Sequence, residues 1–522
     1  MNIKYYIQIS VIGFLLLGIT HSVAAQKKSK IKLLGANEMI YDQVLYGKVR
    51  ILKGNVRLKQ NHTLMYCDSA ALYSETNSMK AYGHVKIVDT KKNTQMTGDS
   101  LLYDGNTKKG RLRGNIKLNS DDQILVTRFL DFDTRSSLAH YYAGGVITNT
   151  NDSSILTSKS GYYHSDTKVF FFKDSVNYIT KDYHIDSDTM EYNTETEIVY
   201  FHGPTNIISD SSSIYCLSGW YDKPNRFSTF SQEVEMISDG QVMHTDSVAY
   251  NQILKTGEAF GNVEIIDTTN RTEIYGDYAK YNNSKRTSLV TGSLELIMAF
   301  TKDTLHLHSD TLFTNYDSTQ TKRLIHAYHH VQFYKSDMQG KSDSLSFSEV
   351  DSTIRMYESP IVWVDSNQIT GKEIVIKTYD GVIQNMRIFE DAFIVSEEDT
   401  ALYNQVKGKS LYAHFRNNEI YRIDVNRSGQ TIYYVRDEDQ KLMGMNRLDC
   451  SNMSIFIDSI GINNIKFYKQ PDGTFFPMRD ITLEMKLLRN FYWRISERPI
   501  SKKDIFTWKE VPDYVRNRRR SR

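Results

Sequence analysis

Apolar and polar residues alternate with a period of two along much of the chain. Val56 and Leu58, Val85 and Ile87, and Ile116 and Leu118 share one phase; so do Val263 and Ile265, Leu294 and Leu296, Val331 and Phe333, and Ile361 and Trp363. Arg57, Lys86, Lys117, Glu264, Glu295 and Gln332 stand between them. Successive side chains of a strand point to opposite faces, so the pattern predicts strands with one apolar and one charged face. The segments also recur. A Gly-polar-Val/Ile element occurs at Gly54-Asn55-Val56, Gly83-His84-Val85, Gly114-Asn115-Ile116 and Gly144-Gly145-Val146, and loosens at Val176, Ile207 and Val234. It returns as Gly261-Asn262-Val263 and Gly292-Ser293-Leu294, then weakens at Val331, Ile361 and Phe393, with intervals of 27 to 37 residues.

A second element keeps the same period. It reads Asp68-Ser69-Ala70-Ala71-Leu72-Tyr73, Asp99-Ser100-Leu101-Leu102-Tyr103, Asp188-Thr189-Met190-Glu191-Tyr192, Asp246-Ser247-Val248-Ala249-Tyr250 and Asp277-Tyr278-Ala279-Lys280-Tyr281. Polar turns such as Asp104-Gly105-Asn106 and Asn282-Asn283-Ser284 separate the two. Each repeat therefore supplies at least two strands. The expected fold class is all-β, with tandem repeats of roughly 30 residues in one or two elongated stacks. About 13 rungs at ~4.8 Å give a stack roughly 60 Å long with an apolar stripe inside. Such a stripe is either packed shut or partly open, and packing is its ordinary fate. The 37-residue interval after Leu294 marks a candidate joint between two stacks.

Composition supports this reading and charge adds little to it. The 522 residues include 35 Tyr and only 7 Pro, as suits ladders that need every N–H. A net charge of +2 gives no overall bias toward nucleic acid. Lys4, the apolar run 7–19 and Val23-Ala24-Ala25 read as a secretory signal peptide over 1–25, which implies export. No later segment approaches the ~20 apolar residues of a membrane helix. Arg516, Arg518, Arg519, Arg520 and Arg522 form a basic end, read as a solvated tail or as a contact for an anionic partner or membrane. Cys67, Cys216 and Cys450 are too dispersed for a disulfide framework or a zinc site, and are expected to be buried, unreactive thiols.

Candidate chemistry is thin. The Asp-Ser pair recurs in most repeats, whereas a nucleophile is needed once, beside a histidine; turn and strand-start hydrogen bonding explains it better. His306, His308, His326, His329 and His330 cluster, but the carboxylates around them lack matching ligand spacing, so exposed strand histidines are expected and no metal. Gly105, Gly110 and Gly114 precede no helix that could cradle phosphate. Neither an enzymatic activity nor a cofactor is expected.

The segments Leu52-Lys53-Gly54-Asn55-Val56-Arg57-Leu58, Gly98-Asp99-Ser100-Leu101-Leu102-Tyr103 and Ala259-Phe260-Gly261-Asn262-Val263 resemble the OstA-like family, which includes LptA, LptC and the N-terminal domain of LptD. The resemblance covers roughly residues 31 to 415. It implies a β-jellyroll folded like a taco, with acyl chains of lipopolysaccharide inside and sugars outside. It also implies edge strands that dock other OstA-like or Lpt components, or further copies head to tail. The chain departs from the family in its many repeats, and too few residues follow 415 for a large outer-membrane barrel. The organisation expected is a signal peptide (1–25), OstA-like repeats (26–300), further β repeats or a second jellyroll (301–460), and a C-terminal cap with a basic tail (461–522). The expected function is a periplasmic lipopolysaccharide-binding bridge, with or without attachment to the outer membrane. Its candidate groove residues are Val56, Leu58, Val85, Ile87, Ile116, Leu118, Val263, Ile265, Leu294 and Leu296. The alternative is a non-catalytic structural or adhesive β-solenoid.

Overall fold

A computed structural model describes residues 29–510, apart from 42, 44–47, 121, 239 and 459–460. The leader at 1–25 and the arginine run at 516–522 lie outside the described residues. Within them the chain is antiparallel β throughout, with four short 3-10 turns between 478 and 506. It divides into two compact units, Met1–Ala143 and Gly144–Arg522, and the division falls inside the strand Leu138–Asn149.

In the first unit, strands of 11 or 12 residues follow one another as a meander: Val49–Gln60, Thr63–Tyr73, Ser78–Asp89, Thr94–Asp104, Lys109–Ser120 and Gln123–Asp133. Each pairs with the next in antiparallel register. Two short strands, Lys32–Gly35 and Glu38–Tyr41, cover the two halves of Val49–Gln60 and form the N-terminal edge.

Every second long strand has a sharp corner in its middle, where the ladders on both sides slip. Between Lys53 and Val56 the register slips, and the two residues there, Gly54 and Asn55, have φ of 70° and 46°. Two consecutive left-handed residues turn an extended chain sharply, and Gly and Asn tolerate that conformation best. Gly83-His84, Gly114-Asn115 and Gly261-Asn262 repeat this corner. So the recurrent Gly-polar-Val signature marks a bend, and each strand has an arm before it and an arm after it. The tips of the two arms meet. Gln60, at the end of its strand, donates to the carbonyl of Gly105 at 2.9 Å and accepts from the Tyr103 hydroxyl at 2.6 Å. Lys92 likewise donates to Ser137. The tips themselves are turns closed by Asp and Asn side chains, such as Asp104 accepting from the Asn106 N–H at 2.8 Å.

The second unit continues the pattern beyond where the sequence signal fades. Corners persist without glycine at Asp174-Ser175, Gln232-Glu233, His329-His330, Glu390-Asp391 and Arg427-Ser428, all with positive φ. Short polar residues reach this conformation at modest cost, so the geometry outlasts the motif. The turn that follows Thr311–Tyr316 takes up part of the long interval after Leu294; it spans 317–322, where Asp317 accepts from the Thr321 and Lys322 N–H groups. The last long strands grow to 15–18 residues: Val382–Asp399, Leu402–Arg416, Glu419–Arg436 and Leu442–Asp458. Gly461–Tyr468 and Asp472–Pro477 then pair with the two halves of Leu442–Asp458 and form the C-terminal edge.

One facing expected from the sequence is reversed. The ladder pairs Ile361 with Lys341, which pairs with Gln332, so Ile361 and Trp363 lie on the outer face, opposite Val331 and Phe333. Ile361–Val364 is buried on both faces. An apolar residue at each position removes the alternation from which facing is read. The outer face there is covered by residues 478–510, which run back across the strands as a strap.

Candidate functional site

The register brings the candidate residues into rows. In the first unit Leu58, Met65, Ile87, Met96, Leu118 and Leu125 are successive partners on one face. Val56, Val85 and Ile116 form the next row toward the corner, where Cys67 joins them. In the second unit Ile265 pairs with Ile274, then Leu296, Leu307 and Phe333. Nine of the ten candidates are 3% exposed or less, and Ile265 is half-buried. The other arm supplies a matching face that the sequence reading left out: Leu52, Ala70, Ala81, Leu101, Leu112 and Leu130 are all buried.

Of the ten, Leu296 lines a cavity in the second unit. Its walls come from both arms, with Ile325, Ala327 and Leu345 on one and Leu307, Phe333 and Met338 on the other. The space free of atoms, solvent at the mouth included, is about 630 Å³. Lys335 stands at its wall, paired with Asp337 and, at 3.3 Å, with Asp303.

The lips carry charge. Lys223 meets Asp152 at 2.9 Å, and Arg323 bridges Asp267 at 3.4 Å and Glu349 at 2.7 Å. Burial opposes ionisation of Asp267, but hydrogen bonds from Asn270 and Gln241 and the charge of Arg323 outweigh it and hold its carboxyl below the usual range. Inside, burial pushes the Cys67 and Cys216 thiols up to about 11, which keeps them protonated and unreactive.

The histidines are structural and mostly not exposed strand positions. His306 sits 2.8 Å from Glu295, and His308 lies 2.7 Å from the Leu294 carbonyl and against Phe506. His329 and His330 are themselves a corner, with His330 bound to Asp310 at 2.8 Å. Among the described residues no three His, Cys, Asp or Glu side chains gather as metal ligands would. The Asp of the Asp-Ser element lies in mid-strand, not at a strand start. Asp99 accepts from Asn115 at 2.9 Å, and Asp246 from Asn262 at 3.0 Å, each tying the corner of the following strand.

Residues 28–188 match the family described as OstA-like protein, and residues 273–382 match the family described as LptA/(LptD N-terminal domain) LPS transport protein. Over residues 28–188 the chain is OstA-like. No curated protein matches this OstA-like chain. Among solved structures, it is similar to LptH from Pseudomonas aeruginosa, the LptA-homologous periplasmic component of the conserved lipopolysaccharide transport device. The two are 13% identical over 21% of this chain and 82% of LptH, with a TM-score of 0.20. Within the OstA-like fold, the repeat is thus a bent strand pair, its corner fixed by Gly-Asn and Asp and its interior by branched aliphatics.

Proposed function

We propose that this protein is a periplasmic carrier in lipopolysaccharide transport and holds acyl chains between the two arms of its bent strands. The observation that carries this is the apolar row behind polar lips, from Leu58 to Leu125 in the first unit and from Ile265 to Phe333 in the second, with the cavity at Leu296. The family matches over residues 28–188 and 273–382 support the lipid, and the signal-peptide-like leader supports the compartment. Each methylene buried between the arms is worth ~0.8 kcal/mol, so a few contacting turns of chain suffice without any chemistry. The paired short strands at each end leave backbone groups for a neighbouring Lpt component or a further copy to pair with, which makes a bridge position the natural one.

The close packing of the first unit favours a second reading, a structural or adhesive solenoid whose interior never opens. Photocrosslinking residues placed at Val85, Ile116, Val263 and Leu296 in cells separate the two. A carrier gives lipopolysaccharide adducts at these positions and none at outward Lys86 or Glu264. Adducts at outward positions alone, or none at all, leave the solenoid.

A further inference from the structure

Along one lip of the second unit, the inward position next to the tip is tyrosine on every second strand: Tyr192, Tyr221, Tyr250 and Tyr281. The strands between contribute small partners at the same height, Val199, Ser228 and Gly257. The Tyr281 ring lies over Gly257. A Cβ on Gly257 would stand 2.1 Å from the Tyr281 ring, and the rings of Tyr250 and Tyr281 stack at 6.1 Å and 16°. The facing lip is polar over the same strands, where Ser212, Ser238, Gln241, Asp267 and Thr272 pair in one row. One step deeper both walls turn to hydrocarbon, with Val248 and Ala279 behind the tyrosines and Met243 and Ile265 behind the polar row.

The mouth therefore presents hydroxyls and amides above an apolar floor, and this pattern ends abruptly. From Ile325 onward the tyrosine row becomes Ile325, Phe347 and Ile354, and the facing row becomes Met298 and Leu305, where the cavity begins. A phenol between water and hydrocarbon is the usual resident of such a boundary, since its ring is apolar and its hydroxyl is not. Burial pushes the Tyr192 phenol up to about 12 and that of Tyr281 well above its ordinary value, with no hydrogen bond opposing either shift. Both remain protonated donors at neutral pH.

We propose that this mouth binds the linkage region of an acylated saccharide: Tyr192, Tyr250, Tyr281 and Tyr221, the last in exchange for its 3.4 Å bond to Gln252, donate hydrogen bonds to the ester and amide carbonyls that join the fatty chains to sugar, and their rings cover the first methylenes. This rests on the carrier reading above. It assigns Tyr192, Tyr250 and Tyr281 of the Asp-x-x-x-Tyr element, and Tyr221 in the same row, a ligand-facing role, alongside the packing of Tyr281 over Gly257.

The test uses the full chain with Tyr→Phe at the four positions, which keeps every ring and removes every hydroxyl. Two probes are compared, a diacyl glucosamine phosphate with ester- and amide-linked chains and an analogue with the same chains joined without carbonyls. Wild type is expected to prefer the carbonyl probe by roughly tenfold or more, and the four-fold variant to lose that preference while binding the second probe as before. If the four-fold variant does not fold, Tyr281→Phe alone is expected to reduce the preference measurably. A variant that keeps the full preference, or a wild type that binds both probes equally, overturns the linkage site and leaves the carrier reading intact. A wild type that binds neither probe overturns both.

Discussion

At the scale of single residues, the corner explains why two distant motifs keep step. Gly114 has a φ of +73°, and a Cβ there would lie 2.3 Å from the Asp99 carboxylate, so both backbone and space call for glycine. The same carboxylate holds Asn115. Gly114→Ala is expected to cost about 1–3 kcal/mol, from left-handed strain and the displaced carboxylate. Asp99→Ala alone should cost about 0.5–1.5 kcal/mol for the lost hydrogen bond. The double variant should cost less than the sum, because the second change makes room for the first. Urea unfolding of the four proteins measures this, and strict additivity would mean that Asp99 and Gly114 do not interact. Both motifs were visible in the sequence, and so was the constant separation of 16 residues in Asp68/His84, Asp99/Asn115 and Asp246/Asn262. What the sequence hid was the direction of the bond. Asp and Ser bind local backbone so commonly that a partner one strand away, reached only through the ladder, is not the first inference.

At the scale of elements, the strap over 478–510 is the part least legible beforehand. Its departure from the repeat and its aromatic content were plain at 487–493, and suggested a cap. Its path depends on outward side chains of strands far earlier in the chain. Gln405 donates to the Lys486 carbonyl and accepts from the Leu488 N–H, Gln368 does the same for Tyr492 and Arg494, and Gln332 donates to the Ile505 carbonyl. These glutamines stand 36 and 37 residues apart, off the ~30-residue spacing of the corner motif. They are buried because the strap lies on them, which is also why Ile361, Trp363, Phe393 and Val395 can face outward. The charged anchor is Glu497, bound by Lys341 at 2.9 Å and by two nitrogens of Arg494 at 2.6 Å, with Trp508 over the Lys341 ammonium at 3.9 Å. Removing one partner of a buried pair leaves the other uncompensated, so Glu497→Gln should loosen the strap by about 3–5 kcal/mol. Limited proteolysis between 478 and 510 should then proceed faster, with the repeat strands still protected. Burial works against the Glu497 carboxylate, but Arg494 and Lys341 outweigh it and hold it below the usual range. Burial draws Lys341 below the ordinary ammonium value, against the pull of its partner. In acid the carboxylate governs, since two cations hold it. Its contribution is therefore complete above the ordinary glutamate pKa and fades as the pH falls through the lowered one. Acid should speed cleavage of the wild type and change the variant little.

At the scale of the whole molecule, the fold class and the inward rows were legible because alternation and period are local properties repeated many times. The cavity was not, because free volume is a sum over side chains from two arms and over their sizes. Ala327, fully buried on the cavity wall, is where that sum falls short. Ala327→Leu should fill the space with little change in stability, since overpacking penalties arise where no room exists. Lipopolysaccharide adducts at Leu296 should fall several-fold, while those at Val85 persist. An unchanged yield at Leu296 would place the lipid elsewhere. The bent strands have one more consequence. The corner stays while the free ends lengthen, from 12 residues in Val49–Gln60 to 18 in Val382–Asp399. Each leg thus grows from roughly 20 Å to roughly 30 Å. Adding residues two at a time to both ends deepens the trough and preserves every facing, whereas adding whole repeats extends it. In the carrier proposed above, capacity for longer hydrocarbon and span between partners are therefore independently adjustable, and a lineage could tune either without rebuilding the spine.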